Sequence, residues 1–202
     1  MSGVGAAIAA LRRGGLAVLP TDTVYGLVAY GLSKAAATEL YAAKGRESRQ
    51  PTALLLASLD LLPLALPGLP TSALRAAQAL LPGPFTLVLP NPDRRFPWLT
   101  GERPEALGVR VPVLRGPAQA VLAELELLVA TSANLPGGAD PRVVEDVPAE
   151  IRKVAGAVVD GGPLPGTPST VVDLTGAGPV ILREGAVPVA EVLERLAGLT
   201  DR

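Results

Sequence analysis

Eight short apolar runs, at residues 16–19, 53–57, 85–89, 107–111, 127–130, 157–159, 170–174 and 180–182, are each the length of a buried strand rather than of a helix. Between several of them lie stretches with helical spacing. They fall at 4–13, closed by Gly14-Gly15, at 33–43 with Ser33 as N-cap, and at 71–80, 117–126, 144–155 and 189–196. This alternation predicts an α/β fold. The runs at 170–174 and 180–182 are joined only by Thr175-Gly176-Ala177-Gly178-Pro179, with no helix between, so a mixed parallel and antiparallel sheet with flanking helices is expected. No repeat or low-complexity tract interrupts the 202 residues, which predicts one domain over 1–202.

The composition then narrows the chemistry. Histidine and cysteine are both absent, which removes Ser-His-Asp triads, thiolate nucleophiles, His-ligated zinc and disulfides. Catalysis must come from other groups. A net charge of -1 argues against a protein whose main task is to hold nucleic acid. Apolar residues make up 49% of the chain, yet no uninterrupted run approaches the roughly 18 needed for a membrane span. The first ten residues carry no positive n-region ahead of an apolar stretch, so no secretory leader is read and a cytoplasmic location is expected.

Standard nucleotide signatures fail. There is no Gly-Lys-Ser/Thr phosphate loop, and Gly176-Ala177-Gly178 runs on into Pro179-Val180. What remains is a set of polar clusters beside the predicted strands, where open sheets gather ligand sites. Pro20-Thr21-Asp22-Thr23-Val24-Tyr25-Gly26-Leu27 brings two hydroxyls, a carboxylate and a phenol; alone, it also reads as a turn. Lys44-Gly45-Arg46 closes a predicted helix and reads either as a C-terminal cap or as an anion grip. Leu81-Pro82-Gly83-Pro84-Phe85-Thr86 is a rigid turn entering a strand, and Ala130-Thr131-Ser132-Ala133-Asn134 ends another in small hydrogen-bonding side chains. Pro168-Ser169-Thr170 and Ile181-Leu182-Arg183-Glu184-Gly185 complete the set. Two Gly/Pro-rich segments, 135–141 and 161–168, read as connectors or as cleft-lining loops.

In this order and spacing the clusters resemble the YrdC-type threonylcarbamoyl-AMP synthases, marked by Lys-x-Arg followed far downstream by Ser-x-Asn. The resemblance runs from Gly15 to Val187, with Gly108-Val109-Arg110-Val111-Pro112 between. It implies a twisted mixed α/β sheet around a concave, positively charged groove. The shorter family members end near this length, and the longer ones carry a second domain. The implied reaction combines L-threonine, bicarbonate or CO2, and ATP into threonylcarbamoyl-AMP and pyrophosphate, toward a modified adenosine beside the anticodon of certain tRNAs. The threonine amine captures CO2 as a carbamate, whose oxygen attacks the α-phosphorus. Such chemistry needs positioned cations and hydroxyls and no covalent intermediate.

By that resemblance Lys44 and Arg46 grip phosphates as the catalytic pair, and Gln50, Thr86, Ser132, Asn134, Arg142 and Arg183 complete the ATP site. Thr23 and Ser169 hold threonine, with Tyr25 and Arg110 shaping its pocket. Mg2+ arrives with ATP rather than in a protein cage, the 161–168 loop shields the carbamate, and no protein metal site is expected. Expected partners are the three substrates and a downstream threonylcarbamoyl-transferase complex, with tRNA or double-stranded RNA as a weak further one. The sequence departs from the family at Glu47 and Thr52, where Pro and Leu are usual, and at Leu55, where a His is common. Leu81 replaces a frequent Trp, and Val113-Leu114-Arg115-Gly116 replaces a frequent Asp-His-Pro stretch. Two other functions fit the same fold: a double-stranded RNA-binding module, and a carbamoyltransferase using carbamoyl phosphate.

Overall fold

A computed structural model describes residues 3–45 and 50–198. Nine strands form one sheet: β1 (Leu16–Pro20), β2 (Tyr25–Tyr30), β3 (Ala53–Leu56), β4 (Phe85–Pro90), β5 (Ala106–Arg110), β6 (Leu127–Ser132), β7 (Ala155–Val158), β8 (Thr170–Asp173) and β9 (Val180–Arg183). Their order is β7-β1-β2-β6-β3-β5-β4-β8-β9. Pairing is mixed, as the missing helix between the last two runs implies: β1–β7, β3–β5 and β4–β8 are parallel and the other five pairs antiparallel. The helices are α1 (Gly3–Arg12), α2 (Lys34–Ala43), α3 (Leu62–Ala65), α4 (Thr71–Leu80), α5 (Gly116–Leu125), α6 (Ala149–Val154) and α7 (Val189–Ala197).

Two expectations change. Strand β2 lies where the sequence shows only a polar cluster, because it is buried on both faces and Gly26 interrupts its apolar pattern. The stretch 144–155 is not one helix: a 3-10 turn at Val144–Asp146 stops before Pro148, which serves as the N-cap of α6. Proline pushes the residue before it out of the helical region, and Val147 indeed lies at ψ 122. Ala155, expected as the end of that helix, instead starts β7. No helix among the described residues is long and apolar enough to cross a membrane.

Side-chain alternation along the strands sorts residues onto two faces. One face carries Val18, Leu27, Leu54, Val129, Val109, Leu87 and Val172, packed in one core with Leu40 of α2, Ala77 of α4, Ile151 of α6 and Val192 of α7. The other face is only half covered. There α1 and α5 press Leu11, Val121 and Leu122 onto Ala17, Leu19, Val28, Leu55 and Leu128. Beyond them, over β6, β3, β5, β4 and β8, the same face presents Ala130, Ala53, Gly108, Val88 and Val171 to an open cleft.

Candidate active site

The cleft has a volume of about 570 Å³, and its floor is built from small side chains. Every second residue of β5 reaches it, Ala106, Gly108 and Arg110, while Leu107 and Val109 are fully buried on the far face. Gly108 matters because a Cβ there would stand 3.6 Å from Ala53 Cα and 3.8 Å from Thr86 Cγ2, in space otherwise left to the cleft.

One end of this floor is cationic and hydroxyl-rich. Arg110 Nη2 donates to Asp22 Oδ1 at 2.7 Å and to Thr23 Oγ1 at 3.3 Å. Asp22 is fixed in turn by the Val113 N–H at 3.1 Å, and Thr23 by a 3.0 Å contact between its hydroxyl and that of Thr21. Burial pushes the Arg110 pKa down, against the opposing pull of Asp22, and the positive charge of Arg183 pushes it further. Its Nε, moreover, is buried without a partner. Leu55 pairs across the strands with Arg110, and its side chain is buried in the core beneath α1 and α5 rather than in the cleft lining. Thr86 Oγ1 lies 2.8 Å from Ser169 Oγ, and Arg183 Nη2 donates to Ser169 O at 2.9 Å and to Ser169 Oγ at 3.2 Å.

Asp22→Ala leaves this guanidinium without its counter-ion. Losing a hydrogen bond to a charged group costs about 2 kcal/mol, so the melting temperature should fall by roughly 4–8 °C, and adding Arg110→Met should restore most of it. Thermal unfolding of the single and double variants checks this. A double variant no more stable than Asp22→Ala would mean that the two residues do not form an energetic pair.

Lys44 and Asn134, expected in the ATP site, are not among the residues that line the cleft but stand behind Ser132, which is. The backbone of Lys44 caps α2, and Gly45 follows in the left-handed region at φ 57, which is the capping reading. Its side chain is buried, 1% exposed, and the ammonium donates to Ser132 O and Asn134 Oδ1, both at 2.7 Å, and to Asn134 O. Ser132 Oγ also donates toward Asn134 Oδ1 at 2.7 Å, and Asn134 Nδ2 donates to Gly138 O at 2.7 Å. Lys44 thus clasps the Ser-x-Asn segment, and Ser132 lines the cleft directly.

The remaining predicted residues divide. Thr23, Thr86, Arg110, Ser132, Ser169 and Arg183 all line the cleft. Tyr25 does not: it alternates with Gly26 and is buried in the core under the opposite face. Its hydroxyl, at the sheet end, accepts from Gly161 N at 3.0 Å and lies within reach of Asp160 Oδ1 and Gly162 O. Burial pushes this phenol above its ordinary pKa, so it serves as a neutral anchor for the 161–168 loop. That loop is tied again where Gly166 N donates to Thr23 O and Leu164 N to Arg142 O. The Arg142 side chain is exposed and lies against Gly166, outside the cleft lining, and Gln50 is exposed beside Pro51, which does line it. Arg46 and the Glu47 departure lie outside the described residues.

Sequence reading missed the floor residues Ala53, Val88 and Ala130 and the rim residues Thr100, Glu102, Arg103 and Asp140. Small apolar residues in a strand look like core, and only the register shows which face they take.

A mixed open sheet with half of one face bare, furnished with guanidinium and hydroxyl groups, defines an α/β protein built to hold a small anionic ligand. Comparison with known proteins makes this specific. A family model for Sua5, YciO and YrdC proteins, described as "Telomere recombination", matches residues 9–185, and the chain belongs to this family. A Mycobacterium leprae relative is 34% identical over 195 residues, 96% of this chain and 88% of its own length. The threonylcarbamoyl-AMP synthase of Bacillus subtilis is 34% identical over 95% of this chain and 56% of its own. The crystal structure of Pyrococcus abyssi Sua5 complexed with L-threonine superposes with a TM-score of 0.86 at 33% identity, over 95% of this chain and 56% of that one. The chain therefore spans about half the length of these last two relatives.

Proposed function

We infer that this protein is an L-threonylcarbamoyladenylate synthase, joining L-threonine, bicarbonate or CO2, and ATP into threonylcarbamoyl-AMP with release of pyrophosphate. The observation that carries this reading is the convergence of Thr23, Thr86, Arg110, Ser132, Ser169 and Arg183, drawn from six separate segments, on a single cleft. A relative solved with L-threonine shares the fold over 95% of this chain at 33% identity, which supports an amino acid as one occupant.

In this reading Arg110, steadied by Asp22, takes the threonine carboxylate, and the Thr23 and Ser169 hydroxyls orient its polar groups. The threonine amine adds to CO2 and loses a proton, giving a carbamate. A carbamate oxygen then attacks the α-phosphorus, the bond from that phosphorus to the bridging oxygen breaks, and pyrophosphate leaves. Arg183 lies where it can offset charge on the reacting phosphate, and Ser132, braced from behind the lining by Asn134 and Lys44, supplies a neutral contact on the opposite wall. The 161–168 loop, tied to Thr23 and to Arg142, stands beside the reacting groups as a barrier to water.

Among the described residues no group of three His, Cys, Asp or Glu side chains forms a metal cage. We place Mg2+ on the nucleotide, coordinated by phosphate oxygens and water, where its charge would lower the cost of gathering anions. The product is an activated acyl group fit for transfer to a tRNA adenosine by a separate transferase complex.

Pyrophosphate release should require all three substrates together, and Asn134→Ala should lower it by roughly tenfold or more, the cost of a lost hydrogen bond to a charged group. Omitting each substrate in turn tests the assignment. Release that continues without threonine or without bicarbonate would overturn it.

A further inference from the structure

The two anionic partners both claim the end of the cleft that holds Arg110, Arg183 and the hydroxyls. The other end, over Ala53, Gly108, Ala106 and Val88, is lined by small apolar side chains and bounded by Thr100, Glu102 and Arg103. Along β5 the two ends are four residues apart, roughly 13 Å at the rise of an extended strand. A nucleotide with its phosphates at the cationic end must lay its base over this floor. Bases are held in proteins largely by stacking on flat groups, and among the described residues no aromatic ring lines the cleft.

Arg103 offers the remaining flat surface at that end. Three of its five N–H donors are committed: Nη1 to Asp173 Oδ2 at 2.8 Å, Nη2 to Thr175 Oγ1 at 2.9 Å, and Nε toward Glu105 Oε1 at 3.5 Å. Asp173 is itself braced by the Thr175 N–H at 2.9 Å and by the Thr175 hydroxyl at 2.6 Å. A guanidinium neutralised and bound along its edge is a poor phosphate grip. The side chain is nevertheless 49% exposed, and with its charge already offset by Asp173 the face of its plane is the better surface for a ligand.

We propose that Arg103 is the nucleobase platform of this cleft, its guanidinium held edge-on by Asp173 and Thr175 and stacked against the purine of the bound nucleotide. Asp173 is then a positioning residue. The proposal rests on the ATP reading above and adds to it which residue meets the base. It also accounts for a bridge spanning from the segment before β5 to the end of β8 at the mouth of a cleft, where a surface ion pair by itself would contribute little to stability.

Calorimetric titration with ATP and with inorganic tripolyphosphate, which carries the anion but no base, tests this. Stacking on one base is worth roughly five- to hundredfold in affinity. Arg103→Ala should therefore weaken ATP binding by about that factor, while tripolyphosphate binding changes less than about twofold. Arg103→Lys keeps a cation for Asp173 but loses the plane, and it should behave like the Ala variant. The KM for threonine should stay at the wild-type value in both. An Arg103→Lys protein with wild-type ATP affinity, or a parallel loss of ATP and tripolyphosphate, overturns the platform. Wild-type protein that binds tripolyphosphate but not ATP overturns the nucleotide reading itself, and the platform with it.

Discussion

Lys44→Ala is expected to damage both the fold and the reaction. The ammonium it removes is buried and surrounded by Ser132 O, Asn134 O and Asn134 Oδ1. Truncation leaves those three oxygens facing an apolar void. Each hydrogen bond to a charged group is worth about 1.5–3 kcal/mol, and the three share one donor, so a joint loss of about 4 kcal/mol is the expected scale. For a chain of this size that lowers the melting temperature by roughly 8–16 °C. The kinetic effect should be larger than the loss of folded protein explains. Ser132 ends β6 and Asn134 lies just beyond it, where Lys44 is the charged group that holds their oxygens, and a displacement of about 1 Å in positioning groups can cost about a hundredfold in rate. Pyrophosphate release measured well below the lowered melting temperature separates the two effects. If turnover there stays within about threefold of wild type, the clasp is structural only.

How much of this was legible beforehand differs between fold and site. The strands at 85–89, 127–130 and 170–174 announced themselves because apolar runs of strand length have few other uses, and the structure places strands there. Strand β2 was hidden because its residues are buried on both faces, so it lacks the alternation that marks a half-exposed strand, and Gly26 reads as a turn. Gly26 is needed for packing: a Cβ there would meet Thr21 Cγ2 at 3.3 Å. The polar members of the site were legible only through their order along the chain, since each cluster alone had a capping or turn explanation. Lys44-Gly45 shows why that ambiguity was physical, because the backbone caps a helix while the side chain reaches the Ser-x-Asn segment. Tyr25 shows the opposite limit: proximity in sequence to Thr23 suggested a shared pocket, and one step of strand alternation sends its ring to the other face.

Gly108→Val should separate stability from binding more sharply than any change to a polar residue. Gly108 lies inside β5 with no positive φ, so an L side chain suits its backbone. The new Cβ would meet Ala53 and Thr86 at 3.6–3.8 Å, ordinary contact distances that displace nothing. Glycine weakens a strand interior by about 0.5–1 kcal/mol, and a β-branched residue favours one, so the melting temperature should hold steady or rise by roughly 1–4 °C. The two Cγ methyls, however, must stand in the cleft above the floor, where the base of a bound nucleotide would lie. A planar ligand cannot share that volume, and ATP affinity should drop at least about a hundredfold. Threonine binding, centred on Arg110 and Ser169 at the other end, should fall far less, while Gly108→Ala should give an intermediate loss of ATP affinity. Thermal melts and titrations with ATP and with threonine, run on the same preparations, read out all three quantities. Equal losses of both ligands would show that the cleft is not divided along β5 into an acid-binding end and a base-binding end, because a side chain at one point of a partitioned floor cannot exclude both.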